Sequence, residues 1–217
     1  MIVAIDGPAG AGKSSVSRQL ADRLGFQFLD TGAMYRAVAL AALERGLGDG
    51  DEGRIASMTN TLTLDFSGNR VLLDGRDVTG DIRTSRVSAA VYLAADNPAV
   101  RERMVKMQRQ IAGTRDTVTE GRDQGTVAFP HAECKIFLTA TPEERARRRH
   151  AELKSRGEEI SLAEVLAQNA ARDLRDSTRS VGRLVKAEEA VEVYTDGLTT
   201  EQVIDRLEEI VRESRKA

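Results

Sequence analysis

IVAI at residues 2–5 runs straight into DGPAGAGKSS at 6–15, and this junction decides the fold class. An unbroken β-prone apolar run is what a strand buried on both faces requires. Beyond the glycines, Val16, Leu20, Ala21 and Leu24 share one helical face, and Gly25 closes the pattern. Gly7-Pro8-Ala9-Gly10-Ala11-Gly12-Lys13-Ser14 fits G-x-x-x-x-G-K-[ST] in the setting that motif needs, after a strand and opening a helix. There, successive backbone N–H groups converge on phosphate oxygens at a helix N-terminus. Lys13 would reach the β- and γ-phosphates, and the Ser14 hydroxyl would ligate Mg²⁺. The alternative is a flexible Gly/Ala turn, against which both flanks speak. The motif implies nucleotide binding and leaves the fate of the γ-phosphate open.

Outward from that junction the same grammar repeats. FQFL (26–29) reads as a strand that leads through DTG into a helix, AMYRAVALAALER, closed by Gly46. The rhythm then changes: LTLDF (62–66) and RVLLDG (70–75), separated by Ser67-Gly68-Asn69, predict a hairpin. A long helical stretch over about 85–112 follows, ending at Gly113. These elements form an inserted subdomain, about 60–112. Strand signals resume at TVTE (117–120) and KIFLTA (135–140). Thr141, Pro142 and Glu144 give a capping-box start to a helix over 142–156, and Ser161 with Glu164 starts the next. AVEVYT (190–195) and an amphipathic helix with Val203, Ile204, Leu207, Ile210 and Val211 complete an α/β fold: a three-layer P-loop architecture with a central parallel sheet.

Composition narrows the function. Among 217 residues, 41% are hydrophobic and 30% charged, as in a globular protein with a real core. Aromatics make up 4%, with no Trp, so a stacking platform for single-stranded nucleic acid is not expected. A net charge of −2 gives no basic footprint for duplex DNA or an anionic membrane. Cys134 is the single cysteine and reads as a small core residue; His131 and His150 lack partners at zinc-like spacing. MIVAIDG has no basic n-region, and AVALAAL is too short to span a bilayer, so a cytoplasmic location is expected.

A GTPase-type switch would carry a guanine reader such as N-K-x-D, and none appears. A phosphotransferase acting on a small acceptor needs a second anion site and a cover over both ligands. Candidates are Tyr35-Arg36, Arg109, Gly121-Arg122-Asp123, the block Arg145 to Arg149, and RDLRDSTR (172–179). Planar guanidinium forks grip phosphate bidentately. An acceptor phosphate is already an anionic nucleophile, so positioning and charge neutralisation can suffice. Each candidate also has a plainer reading. Tyr35 and Arg36 fit an amphipathic helix, and Asp30 either orients a Mg²⁺-bound water or caps the next helix. Arg109 lies in a charge-rich helix, and the arginine block can pair with Glu143 and Glu144. As a helix, 172–179 places Arg172, Arg175, Asp176 and Arg179 on one face, either solvated or a grip. A nucleotide-sensing module without transfer, and a kinase for another acceptor, remain alternatives.

DGPAGAGKSS, LDTGAMYRA (29–37), DGRDVTGDIRT (74–84), EGRDQGTVAFP (120–130) and RDLRDSTR together resemble the bacterial cytidylate kinases over nearly the whole chain. The phosphate loop is widely shared; LDTGAMYR with EGRDQGTVAFP is far more specific. The resemblance implies transfer of the ATP γ-phosphate to CMP or dCMP, with Mg²⁺, by a monomer whose partners are small molecules. It implies ATP contacts from Gly7, Pro8, Ala9, Gly10, Ala11, Gly12, Lys13, Ser14 and Ser15, with Ser14 on the metal. A lid, about 148–162, would bring Arg148 and Arg149 over ATP. Thr31, Tyr35, Arg36, Arg109, Arg122, Asp123, Arg172, Asp176 and Arg179 would surround the monophosphate. Of these, Arg36 and Arg122 would act with Lys13 in catalysis, Arg109 and Asp123 would read cytosine, and Arg172 with Asp176 would hold the ribose. Where the family carries a small hydroxyl residue against the base, this chain has Tyr92.

Overall fold

The computed structural model describes residues 1–67 and 70–216, and the chain divides into two compact units, Met1–Leu29 with Ala112–Ala217, and Asp30–Ile111. In the first unit, β1 (Ile2–Asp6) is the central strand of a parallel sheet. Around it stand β2 (Gln27–Asp30), β6 (Thr117–Gly121), β7 (Cys134–Thr139) and β8 (Val191–Tyr194), in the order β2-β6-β1-β7-β8. Ile5 lies opposite Glu120 on one side and Ile136 on the other. Val3, Ile5, Val118, Ile136 and Leu138 form the core with Val16 and Leu20 of α1 (Lys13–Leu24) and with Ile204, Leu207 and Ile210 of α9 (Thr200–Ser214). Ligands in such sheets bind beyond the strands' carboxyl ends, where β1 and β6 deliver the phosphate loop and the 121–124 turn.

Two further helices of this unit, α7 (Pro142–Ser155) and α8 (Leu162–Thr178), pack on each other through Ala146, Leu153 and Val165. The capping box expected at Thr141 is only half formed. Thr141 Oγ1 accepts from the Glu144 N–H, but the Thr141 N–H donates to Asp196. The Glu144 carboxylate turns instead to Arg147 and Arg148, a stronger offer than a backbone amide. At Ser161 and Glu164 both halves of the box are present.

In the unit Asp30–Ile111, α2 (Thr31–Glu44) starts two residues before the predicted helix and is buried along most of its length. α3 (Glu52–Thr61) carried too few apolar repeats to be seen in the sequence. The predicted hairpin strands are β3 (Leu64–Ser67) and β4 (Arg70–Leu73), antiparallel, with β5 (Arg76–Asp77) added beyond β4. Gly68 and Asn69 of the predicted turn lie outside the described residues. The single helix expected over 85–112 is three: α4 (Ser85–Ala90), α5 (Tyr92–Ala95) and α6 (Pro98–Ala112). Asn97 makes the break before α6, its Oδ1 accepting from the Ala99 and Val100 N–H groups at 3.1 and 3.3 Å while Pro98 opens the helix.

Candidate active site

The phosphate loop is shaped by backbone conformations that side chains resist. Gly7, Gly10 and Gly12 have φ of 153°, 77° and 87°. At Gly7 a Cβ would stand 1.9 Å from the Leu138 carbonyl oxygen, so the loop leaves β1 in contact with β7. Lys13 opens α1 and is 5% exposed. Its Nζ donates to the Gly7 and Pro8 carbonyls, both at 2.8 Å, which does not exhaust an ammonium's three donors. Burial, then the nearby Arg122 charge, pull its pKa from 10.5 down to about 7, with Arg172 adding to the same effect. Ser14 Oγ donates to Glu120 Oε1 at 2.8 Å. A hydroxyl beside a carboxylate is a hard-oxygen pair that suits Mg²⁺. Among the described residues no group of three His, Cys, Asp or Glu that could hold a metal comes together.

Arg122 follows β6, and its Nε donates to Asp176 Oδ2 at 2.8 Å. Arg179 bonds the other oxygen of the same carboxylate. Burial alone would raise the Asp176 pKa, but the charges of Arg122, Arg179 and Arg172 outweigh it and hold the carboxylate below its usual range. Asp123 is buried, and its carbonyl accepts from the Val127 and Ala128 N–H groups of a π-helical turn, Gln124–Ala128. The charged stripe predicted on one helical face is revised. α8 ends at Thr178, Arg179 is extended with φ −58° and ψ 153°, and Arg175 is exposed. The inward acids are Asp173 and Asp176.

The arginine block is heavily engaged. Arg145 is buried and bonds Ala9, Ala140 and Asp173; Arg147 pairs with Glu144 and Arg149 with Glu152. Arg148 holds Glu144 and Thr195, and its Nη1 lies 3.8 Å from where a Gly12 Cβ would be. Of the two proposed lid contacts, Arg148 is thus the one beside the loop.

In the unit Asp30–Ile111, Asp30 caps α2, its Oδ1 accepting from the Ala33 N–H at 2.8 Å; the Arg36 guanidinium folds back to the same oxygen at 3.5 Å. Gly32 permits this, since a Cβ there would stand 3.0 Å from Arg36 Nη1. Thr31 and Tyr35 are buried on α2, and Arg109 is exposed on α6. The buried arginine beside Tyr35 is Arg101, 5.3 Å from the ring centroid, one that the sequence reading did not single out. Its signal was position on α6, three residues after Pro98 and on the face of Met104 and Gln108. Asp6 was missed too. It is 5% exposed, its two oxygens accept from the Gln124 and Gly125 N–H groups at 2.8 Å each, and burial pushes its pKa up to about 6.

The family model for cytidylate kinase matches residues 3–213. The chain belongs to the cytidylate kinase family. A cytidylate kinase of Rhodopirellula baltica is 48% identical over 217 residues, covering 100% of this chain and 95% of that protein. Another, of Pelotomaculum thermopropionicum, is 51% identical over 207 residues, covering 93% and 92%. Among solved structures, a shikimate kinase of Bacteroides thetaiotaomicron shares the fold with a TM-score of 0.50 at 13% identity, covering 98% of each chain. In this cytidylate kinase family member, Tyr92 donates its hydroxyl to Asp49 Oδ1 at 2.9 Å.

Proposed function

We propose that the chain transfers the γ-phosphate of MgATP to CMP or dCMP, giving ADP and CDP or dCDP. One observation carries the phosphate chemistry: Lys13 is buried at the head of the glycine loop, with the Arg122 and Arg172 charges near enough to disfavour its ammonium, an arrangement that an anionic ligand relieves. Family membership supplies the acceptor class.

In this reading the loop from Gly7 to Ser15 binds the ATP phosphates through backbone N–H groups, and Lys13 meets charge as it develops between donor and acceptor. Ser14 would hold Mg²⁺, which when bound would supply neutralisation of phosphate charge. Arg122 contacts the acceptor phosphate while Asp176 fixes its guanidinium, and Arg172, Asp176 and Arg179 meet the ribose side. Asp176 can serve both, because each carboxylate oxygen accepts more than one bond. Arg36, Thr31, Tyr35 and Arg109 are assigned acceptor contacts within the unit Asp30–Ile111, and Asp123 a contact with the base; Arg101 joins them on its burial beside Tyr35. The reading keeps an acceptor-binding subdomain at about 60–112 and a lid at about 148–162, with Arg148 and Arg149 toward ATP. Lid closure would exclude water and limit idle hydrolysis. It also describes a cytoplasmic monomer acting on small molecules; among the described residues no helix is long and apolar enough to cross a membrane.

The test is ADP release measured against a panel of monophosphates. CMP and dCMP should stimulate it strongly, and AMP and GMP should stay near buffer. Equal stimulation by all four, or none by CMP, would sink the proposal. Size-exclusion chromatography with light scattering checks the monomer.

A further inference from the structure

Helix α8 carries two carboxylates one turn apart, and each holds a different part of the phosphate-handling unit. Asp176 takes Arg122 and Arg179. Asp173 faces the phosphate loop: its Oδ1 accepts from the Ala9 N–H at 3.2 Å, and its Oδ2 accepts from Arg145 Nη1. The same Arg145 nitrogen donates to the Ala9 carbonyl at 2.9 Å, and Arg145 Nε donates to the Ala140 carbonyl at 3.1 Å. Ala9 is therefore held at both of its backbone polar groups. The Arg145 side chain is 8% exposed, so these charge-assisted bonds are little weakened by water. Packing tightens the same spot, since a Cβ on Gly10 would stand 3.0 Å from the Arg145 carbonyl oxygen.

We propose that Asp173 is a positioning residue for the donor nucleotide: with Arg145 it fixes the phosphate loop at Ala9 to α8, the helix that also carries Asp176. The inference rests on the reading of this loop as the ATP site. Loop N–H groups serve the reaction only while aimed at the phosphate oxygens, and displacements of about 1 Å are costly. Asp173 acts on that aim through Ala9 and touches no nucleotide itself. It differs in this from Asp176, whose partners lie on the acceptor side. Two acids separated by one helical turn should therefore give opposite kinetic signatures.

Asp173→Asn tests this directly. The Ala9 N–H and Arg145 sit on different oxygens of Asp173, and an amide has one oxygen where the carboxylate has two, so Asn in this place keeps one acceptor and turns its NH₂ toward the other donor. Steady-state kinetics on the full chain begin with the wild type; absence of CMP-dependent ADP release there would overturn the proposed function and not the clasp alone. With wild-type activity present, Asp173→Asn should raise the ATP KM and lower kcat, each by about tenfold, with the CMP KM within about twofold. Arg145→Lys, which keeps the charge but loses the fork, should shift ATP in the same direction. Equal rises for both nucleotides, a rise for CMP alone, or unchanged kinetics would overturn the proposal. Thermal unfolding monitors each variant: if Asp173→Asn does not fold, Arg145→Lys carries the readout, and unfolding of both marks a mere strut and overturns it as well.

Discussion

Lys13 and Asp176 are hidden alike, each 5% exposed, in the same compact unit. Their charges fare oppositely. Around Lys13, burial and two arginines work against the ammonium, and Glu120 and Asp6 only partly offset them. Around Asp176, burial works against the carboxylate, but three arginines prevail. Burial works against both charges, and the neighbours decide whether it prevails. On the loop side, phosphate would offset what Arg122 and Arg172 do to the Lys13 ammonium.

The largest effect should come from Lys13→Ala. It removes charge where charge develops and should lower kcat by about a thousandfold, roughly 4 kcal/mol of transition-state stabilisation. A kcat within about tenfold of wild type would break the comparison at its cationic end. Next, Asp176→Ala leaves Arg122 and Arg179 facing each other without their anion. Urea unfolding should show a loss of about 3 kcal/mol, and the CMP KM should rise far more than that of ATP. Matching losses for the two nucleotides would detach Asp176 from the acceptor.

Asp6 sharpens the contrast, as a buried carboxylate without an arginine. Its folded pKa, about 6, lies above the ordinary 3.8, so between those values the folded chain binds more protons than the unfolded chain. Stability from this group is present below about pH 4 and is lost as pH rises through 6. The stability advantage of wild type over Asp6→Asn should shrink by about 2.4 kcal/mol from pH 4 to 7. A pH-independent difference would show that Asp6 titrates normally. The smallest effect is reserved for Arg147→Ala. Its side chain is 62% exposed on the Glu144 pair, so stability should change by no more than about 0.5 kcal/mol. A larger loss by chemical denaturation would mean that exposed pairs matter here as buried ones do.

How much of this the sequence showed depends on distance along the chain. The phosphate loop was legible because strand, glycines, lysine and helix are contiguous, and the α/β alternation followed from local periodicity. The arginines proposed for the acceptor were legible as chemistry and not as geometry. Arg122 and Asp176 stand 54 residues apart, and no local pattern pairs them. Asp173 was hidden among alternating charges, where only the packing of α8 distinguishes it from exposed Arg175. On α6, Arg101 and Arg109 are the same residue type, and burial separates them only once the fold exists. The Asn97-Pro98 break was written in plain capping chemistry, but helical spacing on both sides carried the reading across it.

The curled Lys13 has a consequence for acid and alkali traffic. With a pKa of about 7, its Nζ is about half protonated at neutrality. A phosphate arriving beside it favours the protonated form, so loading the loop at pH 7 should draw up to about half a proton from the buffer. Above that pH, nucleotide affinity should fall toward tenfold per unit, and calorimetric heats should differ between buffers of different ionisation enthalpy. Each nucleotide that leaves would return the proton, so proton uptake and release would follow the loading of the loop.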